Sequence, residues 1–274
     1  GAATGTPGAN GGSRGIGSWD NGLLINASGG GNVSLVGSQT SANTSNPGGI
    51  LLTGGDVIAS AGTVTINGNS GVQFRTNAHN LGATSATSAS GNVTVVGDVI
   101  SSNAALNIKT TGAVVLESSG ANFTSAFSTT SLSLSGPPSS LRIGKTGNTS
   151  GVTISGGTTS VAGPVTINGV AVTVSSSITT TVGGTISIPA TGAVSITAAL
   201  VANGSIAVTG TSVTTTANMT ASGANGISVT ATAGAVDIGG VTTVSTTTTG
   251  DVLFKATTHV LVGANDPITT NGGD

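Results

Sequence analysis

Residues 163–208 read GPVTINGVAVTVSSSITTTVGGTISIPATGAVSITAALVANGSIAV. In this stretch and just beyond it, a glycine followed by alternating aliphatic and polar positions returns several times: Gly163-Pro-Val-Thr-Ile167, Gly184-Thr-Ile-Ser-Ile188, Gly192-Ala-Val-Ser-Ile196, Gly204-Ser-Ile-Ala-Val208 and Gly234-Ala-Val-Asp-Ile238. Aliphatic residues at every second position are typical of β-strands that bury one face. Repetition of one short strand therefore indicates a fold in which similar strands stack on each other.

The spacing of the repeated phrase is regular. The first aliphatic residues form one series with sequence steps of 21, 20 and 21: Val165, Ile186, Ile206 and Ile227. A second series has steps of 22, 19 and 23: Val172, Val194, Val213 and Val236. The same period is found nearer the start of the chain, with a step of 21 from Val93 to Val114 and a step of 20 from Leu132 to Val152. Two interleaved series with one shared period predict a solenoid with at least two strands in each repeat.

The residue types select among solenoids. Val, Ile and Leu alternate with Thr and Ser, 46 glycines punctuate the strands, and no stretch shows the apolar stripe of a capped helix. A leucine framework with a fixed asparagine, or an aliphatic residue every six positions, would indicate other solenoids, and both patterns are absent. The sequence therefore predicts an all-β fold, a right-handed parallel β-helix with coils of about 20–21 residues. A narrow coil interior also agrees with an aromatic content of 2%.

The alternation predicts which side chains face the interior. Neighbouring residues of a strand point to opposite faces, so the first series should be buried and the residues that follow it should face outward. We expect these inward residues: Val165, Ile186, Ile206 and Ile227. We expect these outward residues: Thr166, Ser187, Ala207 and Ser228.

The whole chain, residues 1–274, is interpreted as a single β-helix shaft of about eleven or twelve coils. Residues 1–22 are a Gly-rich start, residues 23–98 form longer, looped coils, residues 99–262 form regular coils, and residues 263–274 are a polar tail. The early steps are longer, 31 from Val33 to Val64 and 29 from Val64 to Val93. The polar stretches Gln39 to Gly49 and Asn77 to Ser90 are predicted to be the loops that cause this lengthening.

Charge and composition exclude several functions. The chain has no cysteine, and no ionisable side chain lies between Thr146 and Val236. Six Lys and Arg residues and a formal net charge of -2 argue against nucleic-acid binding. No apolar run reaches the roughly 20 residues of a transmembrane helix, and Gly1 opens without the pattern of a signal peptide.

The ionisable residues give no catalytic or metal-binding pattern. The carboxylates are scattered at Asp20, Asp56, Asp98, Glu117, Asp237, Asp251, Asp266 and Asp274. Polysaccharide-cleaving β-helices need several such groups on one face, and only Asp56 and Asp98, at a sequence separation of 42, could share a side. Asp237 is predicted to face solvent, and Asp98 and Asp251 to lie at turns. His79 and His259 are expected to be solvated loop histidines. We therefore predict no catalytic residue, no cofactor site, no metal site and no enzymatic activity.

Two further patterns have ordinary explanations. Eight Asn-x-Ser/Thr sequences occur, close to the number that chance supplies in this composition, and they leave glycosylation open: Asn26, Asn32, Asn43, Asn92, Asn122, Asn148, Asn203 and Asn218. Three threonine runs begin at Thr179, Thr214 and Thr246. A flat threonine array could bind ice, but irregular steps between these runs favour ordinary half-exposed strand positions.

The glycine-led phrases resemble the repeats of filamentous-haemagglutinin-type exoproteins, which are β-helical adhesins exported by two-partner secretion. The phrases that carry the resemblance are Gly30-Gly-Asn-Val-Ser-Leu35, Gly62-Thr-Val-Thr-Ile-Asn67 and Gly91-Asn-Val-Thr-Val-Val-Gly97. The secretion domain of that family carries paired Asn-Pro-Asn motifs, whereas Asn46-Pro-Gly-Gly-Ile50 lacks the third asparagine and has no counterpart. The resemblance implies an internal shaft fragment of a large exoprotein, displayed on a bacterial surface and used in adhesion or matrix formation.

Three functions compete at this stage. The preferred one is a non-catalytic structural or adhesive shaft of a large secreted or surface-displayed bacterial protein, which would meet a host or surface receptor or a glycan. The alternative is a self-assembling extracellular fibre, sheath or matrix subunit, and a polysaccharide lyase or tailspike-like hydrolase ranks third. Because the amino- and carboxyl-terminal segments lack capping features, we expect self-association or continuation into further coils. The expected location is extracellular or on the bacterial cell surface.

Overall fold

The computed structural model describes residues 15–18, 23–27, 29–38, 48–84, 88–157, 159–240 and 242–272. In these ranges the chain forms β-strands joined by turns and loops, and none of it is helical. The fold is an all-β parallel solenoid of about nine turns, which confirms the predicted class. The chain divides into two compact units, a first unit of Gly1–Phe127 with Ser131–Pro138 and a second unit of Ser128–Thr130 with Ser139–Asp274.

The strands up to residue 135 are β1 (Ile16–Gly17), β2 (Leu23–Ala27), β3 (Val33–Val36), β4 (Ile50–Leu52), β5 (Gly55–Ala59), β6 (Val64–Asn67), β7 (Val72–Phe74), β8 (His79–Gly82), β9 (Val93–Val96), β10 (Ile100–Ser102), β11 (Leu106–Lys109), β12 (Ala113–Glu117), β13 (Phe127–Ser128) and β14 (Leu132–Ser135). Within the first unit they form three parallel sheets: β1-β4-β7-β10, β2-β5-β8-β11-β14 and β3-β6-β9-β12. Neighbouring strands in each of these sheets are three places apart in the chain, so one turn of the first unit contains three strands. Val33, Val64, Val93 and Val114 are register partners in succession, and sequence steps of 31, 29 and 21 separate them.

The strands of the second unit are β15 (Ser140–Ile143), β16 (Val152–Ile154), β17 (Thr159–Val161), β18 (Val165–Ile167), β19 (Val172–Val174), β20 (Ile178–Thr180), β21 (Ile186–Pro189), β22 (Val194–Ile196), β23 (Leu200–Ala202), β24 (Ile206–Gly210), β25 (Val213–Thr215), β26 (Met219–Ala221), β27 (Ile227–Ala231), β28 (Val236–Ile238), β29 (Val244–Thr246), β30 (Val252–Lys255), β31 (Val260–Val262) and β32 (Ile268–Thr269). They also form three parallel sheets. The β15 sheet is β15-β18-β21-β24-β27-β30, the β16 sheet is β16-β19-β22-β25-β28-β31, and the β17 sheet is β17-β20-β23-β26-β29-β32.

Both predicted series are confirmed as ladders of the second unit. Val165, Ile186, Ile206 and Ile227 are successive partners in the β15 sheet. Val172, Val194, Val213 and Val236 are successive partners in the β16 sheet. A third ladder, which the sequence analysis missed, occupies the β17 sheet: Ile178, Leu200, Met219 and Val244. Each turn therefore has three strands, where the sequence required at least two.

The predicted inward and outward positions are also confirmed. The four residues of the first series are each no more than 1% exposed, whereas the residue after each of them is half-buried or exposed. A β-strand pleat places successive side chains on opposite faces, and parallel pairing repeats that choice from turn to turn. Each fully buried aliphatic side chain contributes roughly 1.5–3 kcal/mol, so the stability of a turn depends on the turns that cover it.

Three expectations about the register need correction. Leu132 and Val152 do not belong to one ladder, because Leu132 pairs with Leu106 in the first unit and Val152 pairs with Val172 in the second. The number of turns is about nine rather than eleven or twelve. The turn after Leu141 is also longer than the predicted period of 20–21 residues, with a sequence step of 24, whereas the step of 31 after Val33 agrees with the predicted longer coils.

The predicted loop from Asn77 to Ser90 is wrong in part. It contains strand β8, His79–Gly82, which pairs with β5 on one side and β11 on the other. Alternation of inward His79 and Leu81 continues the interior there, although the surrounding residues are polar. The other predicted loop is Gln39 to Gly49, and its residues 39–47 lie outside the described part of the chain.

Candidate functional site

Asp56 belongs to a polar row on the outer face of the first unit. It is half-buried on β5, and its Oδ1 accepts hydrogen bonds from the backbone N–H of Asn80 (3.1 Å) and from Asn80 Nδ2 (2.7 Å), one turn later. Asn107 Nδ2 donates to Asn80 Oδ1 at 3.4 Å, a further turn along. The carboxylate therefore joins neighbouring turns.

Asp98 joins turns in a different place. It lies in the bend after β9, as predicted. Its Oδ1 accepts hydrogen bonds from Ser119 N (3.0 Å), Ser119 Oγ (2.7 Å) and Gly120 N (3.0 Å). Residues 119–120 occupy the turn after β12, so Asp98 caps the equivalent turn of the next coil. Asp56 lies on the face of the β2–β14 sheet and Asp98 at a corner after the β3–β12 sheet, and each carboxylate bonds within its own stack. The structure therefore does not bring these two residues together as a catalytic pair.

The remaining described carboxylates are dispersed. Asp237 is on an outward position of β28 but is only half exposed, Glu117 is half-buried on β12, and Asp251 is exposed. Asp266 is 8% exposed, and its Oδ1 accepts from Thr242 N at 2.7 Å while its buried Oδ2 has no hydrogen-bond partner among the described residues. Asp20 and Asp274 lie outside the described residues. Across the residues that the structure describes, no three His, Cys, Asp or Glu side chains gather as a metal site would require.

His79 is a correction to the sequence analysis, which placed it in a solvated loop. It lies on β8, faces inward and is fully buried. Its ring makes an edge contact with Phe74, with centroids 5.2 Å apart, and its Nε2 lies 3.3 Å from the carbonyl oxygen of Arg75. Burial lowers the pKa of His79 from its ordinary value of 6.5. His259 is exposed, as predicted.

Three of the Asn-x-Ser/Thr sequences are strand entrances that couple successive turns. Asn32, Asn92 and Asn218 each stand directly before a strand. The Oδ1 atom of each asparagine accepts a hydrogen bond of 2.8 Å from a backbone N–H of the next solenoid turn. The donors for Asn32 and Asn218 are Thr63 and Thr243, each directly before the paired strand. The donor for Asn92 is Ala113, the first residue of the paired strand. The residue after each asparagine faces inward and the Ser or Thr after it faces outward. Asparagine, an apolar residue and a hydroxyl residue are therefore a structural unit of this solenoid.

The other five sequences are mixed. Asn148 is 1% exposed, and its Nδ2 donates to the carbonyls of Ser150 and Asn168, so it is closed to modification. Asn203 Oδ1 accepts from Gly183 N at 2.7 Å. Asn26 is exposed on β2, Asn122 is half-buried, and Asn43 lies outside the described residues.

Removal of a strand-entrance asparagine is expected to weaken the coupling of two turns. In Asn92→Ala and Asn218→Ala, one backbone N–H loses its acceptor, which should lower the free energy of unfolding by about 1 kcal/mol. Urea unfolding followed by circular dichroism measures the change, with Asn26→Ala as the exposed control. Equal stability of all three variants would contradict the coupling role.

The three threonine runs do not form one surface. Thr179 on β20 and Thr214 on β25 face outward on different sheets, whereas Thr246 on β29 is 3% exposed and donates its hydroxyl to the carbonyl of Gly250 at 2.6 Å. Hydroxyl rows do exist at the outward register positions of the second unit. The row of the β16 sheet is Thr153, Thr173, Ser195 and Thr214. These faces are uncharged over several turns.

The last described turn of the second unit has a different surface. Strands β30, β31 and β32 are terminal in the three sheets. Val260 and Ile268 occupy inward ladder positions but are 42% and 43% exposed, against 0% for Val236 and Val244 one turn earlier. Two outward leucines are exposed as well, and they pair with polar residues of the preceding turn: Leu253 pairs with Ser228, and Leu261 pairs with Asp237.

Comparison with known proteins found no matching family model, no matching curated protein and no matching solved structure. The part of the chain described by the structure has no helix of a length and hydrophobicity suited to crossing a bilayer.

Proposed function

We propose that the chain is a non-catalytic structural or adhesive shaft of a large secreted or surface-displayed bacterial protein. The observation that carries this proposal is the distribution of ionisable side chains and the hydrogen bonds that the carboxylates make. The segment from Thr146 to Val236 has no ionisable side chain and consists of turns that pair in register. In the first unit, the Oδ1 atoms of Asp56 and Asp98 accept hydrogen bonds from residues of the neighbouring turn.

The phrases that resemble filamentous-haemagglutinin-type repeats support the same proposal. Their inward valines, Val33, Val64 and Val93, are consecutive register partners on β3, β6 and β9. The resemblance therefore corresponds to one structural repeat that recurs turn after turn, as a shaft built from such repeats requires. Extracellular or cell-surface display is part of this proposal.

The absence of enzymatic activity is also part of the proposal. Hydrolysis of a glycosidic bond uses two carboxyl groups about 5–10 Å apart, one of them a proton donor. The two acidic residues nearest to that expectation, Asp56 and Asp98, occupy separate stacks and are held by two and three hydrogen bonds. This arrangement suits a structural role.

A second candidate, a self-assembling fibre or matrix subunit, is favoured by the last described turn. Three strand edges and the apolar side chains of Val260 and Ile268 are exposed together. A further solenoid turn would pair the edges and bury both side chains. Such a turn could come from more of the same chain or from another copy, so the exposed end fits continuation as well as self-association.

Electron microscopy of native bacteria with immunogold labelling of this chain separates the two candidates. The shaft proposal expects labelled single rods that project from the cell surface, whereas a fibre or matrix subunit should give a periodic labelled lattice. Label confined to the cytoplasm would contradict both.

Light scattering tests the assembly candidate on the 274-residue chain. If copies stack through the last turn, the apparent mass should rise above that of a single chain as the concentration increases. Val260→Lys should reduce that rise because a charge cannot enter the stacked interior. Ala224→Lys, which adds the same charge at an exposed turn one coil earlier, is the control. Identical behaviour of the two variants would contradict stacking through this edge.

A further inference from the structure

The first unit contains a buried histidine whose surroundings favour the neutral imidazole. His79 is 0% exposed, and its register partners along the sheet are Gly55 on β5 and Leu106 on β11. The ring also packs edge-on against Phe74. The position therefore belongs to the apolar interior, where an aliphatic residue stands in the neighbouring turn.

The hydrogen bonding of the ring fits neutral imidazole. An Nε2–H can donate to the Arg75 carbonyl oxygen, 3.3 Å away, and Nδ1 is buried without a hydrogen-bond partner among the described residues. Neutral imidazole leaves that atom as a bare acceptor, whereas imidazolium would place a second N–H donor there. A charged ring buried in this apolar interior is costly because it loses its hydration.

The charged side chains on the elements next to β8 are Asp56 on β5, Arg75 in the turn before β8, and Lys109 on β11. The carboxylate of Asp56 favours protonation of the ring, and so do the carbonyl oxygens of Arg75 and Gly55. Loss of hydration is the largest effect and acts in the opposite direction, so the pKa of His79 is lowered.

The turn that holds the ring is itself strained. Thr76, directly after Arg75, has φ = 72°, a left-handed conformation that is uncommon for a residue other than glycine. Its backbone N–H donates to Asn103 Oδ1 at 3.1 Å, a hydrogen bond that ties the strained turn to the next coil. Release of His79 would free this turn to relax.

We propose that His79 is an acid-sensitive latch, whose protonation releases β8 and the turn of residues 75–78 from the first unit. The regular turns of the second unit lack such a group, because no ionisable side chain occurs between Thr146 and Val236. Mild acid therefore opens the first unit locally while these turns stay closed. This inference concerns conformation and does not depend on the proposed shaft function.

The direction of the pH effect follows from linkage. The pKa of His79 is lowered in the folded state, so the open state binds more protons once the pH falls below the ordinary value near 6.5. The contribution of His79 to the stability of the closed state is complete above that pH and is lost as the pH falls towards the folded pKa. Between the two pKa values the opening equilibrium rises by up to about tenfold per pH unit, since one proton is linked to opening.

Hydrogen–deuterium exchange of the full chain tests the latch directly. Amides from Val72 to Gly82 should exchange faster at pH 5 than at pH 7.5 after correction for intrinsic rates, by up to about tenfold for each pH unit below 6.5. Amides of residues 152–236 should keep their rates. Equal protection of residues 72–82 at both pH values would overturn the proposal.

Two variants assign the effect to the ring. His79→Leu keeps an apolar side chain inside and should abolish the acid-induced exchange, whereas His259→Gln, at the exposed second histidine, should leave it unchanged. Acid-induced exchange that persists in His79→Leu would overturn the proposal. If His79→Leu does not fold, the chemical shift of the His79 ring in the wild-type chain decides: its titration midpoint must lie below the ordinary value of 6.5, and a midpoint at or above 6.5 would overturn the proposal.

Discussion

Replacement of Ile206 by Asp is expected to unfold several turns of the second unit. Ile206 is 1% exposed and stacks between Ile186 and Ile227 in the β15 sheet. Truncation of such a residue to Ala costs about 2–5 kcal/mol, and an aspartate adds the desolvation of a charge. No cation lies anywhere between Thr146 and Val236 to pair with it. The loss should exceed about 5 kcal/mol, which is comparable with the stability of a whole domain.

The matched control is Ala207→Asp on the same strand. Ala207 is exposed at the outward position, so its aspartate stays hydrated and should change the free energy of unfolding by no more than about 0.5 kcal/mol. Thermal and urea unfolding followed by circular dichroism measure both variants. Normal stability of Ile206→Asp, or equal losses in the two variants, would mean that the inward and outward positions are assigned wrongly.

Replacement of Gly226 by Ala is expected to be the second most damaging change. Gly226 has φ = 60°, and an added Cβ would overlap the backbone carbonyl of Asp251, the group that accepts a hydrogen bond from Ile227. The left-handed conformation costs a non-glycine residue roughly 1–2 kcal/mol, and forced displacement of packed backbone adds about 1–3 kcal/mol. The total loss should be about 2–5 kcal/mol.

Gly183 separates the two contributions. Its φ is 61°, almost the same, but an added Cβ would meet no atom within 4 Å. Gly183→Ala should therefore lose only the conformational part, roughly 1–2 kcal/mol. Urea unfolding of both variants gives the difference. Losses of equal size would show that the approach of Asp251 to Gly226 is not a tight contact between turns.

The sequence predicted the fold wherever a strand carries two inward aliphatic residues. Strands such as β18 and β22 read Val-Thr-Ile and Val-Ser-Ile, and their period-2 signal is complete. In the β17 sheet the second inward position is small or polar instead, as the buried residues of four of its strands show: Thr180, Ala202, Ala221 and Thr246. A single aliphatic residue gives no alternation, so the third strand of each turn was not visible.

The register of Leu132 was lost for a related reason. The steps of a solenoid are readable only while the turns have similar lengths, and the step from Leu106 to its partner Leu132 is 26. The interval of 20 from Leu132 to Val152 matched the period without any pairing. Equal spacing in sequence is therefore sufficient evidence of stacking only inside a run of several equal steps.

The chemistry of single residues was less predictable than the strands. The sequence predicts a solvated His79 because histidine is usually exposed and its segment is polar, although Leu81 two residues later continues the inward pattern. No alternating pattern marks Asp266 as buried. Its carboxylate accepts a hydrogen bond from the backbone N–H of Thr242, 24 residues earlier, and the local sequence does not indicate this contact. The roles of Asn92 and Asn218 likewise depend on a partner one turn away.

Chemical cross-linking of engineered cysteines tests the central claim, that turns of about 20 residues stack as parallel strands in register. The chain contains no cysteine, so each engineered pair is the only pair present. Ser187 and Ala207 are outward register partners on adjacent strands, and Ser228 is the partner one turn further on. Adjacent strands are about 4.8 Å apart, and strands two places apart about 9.6 Å.

The reagent is a thiol cross-linker that reaches one strand spacing but not two. It should bridge the two cysteines of the variant with Ser187→Cys and Ala207→Cys, and it should form no bridge in the variant with Ser187→Cys and Ser228→Cys. Mass spectrometry of the intact chain detects the bridge. Efficient bridging of the second pair, or failure of the first pair with both thiols accessible, would contradict the stacked solenoid.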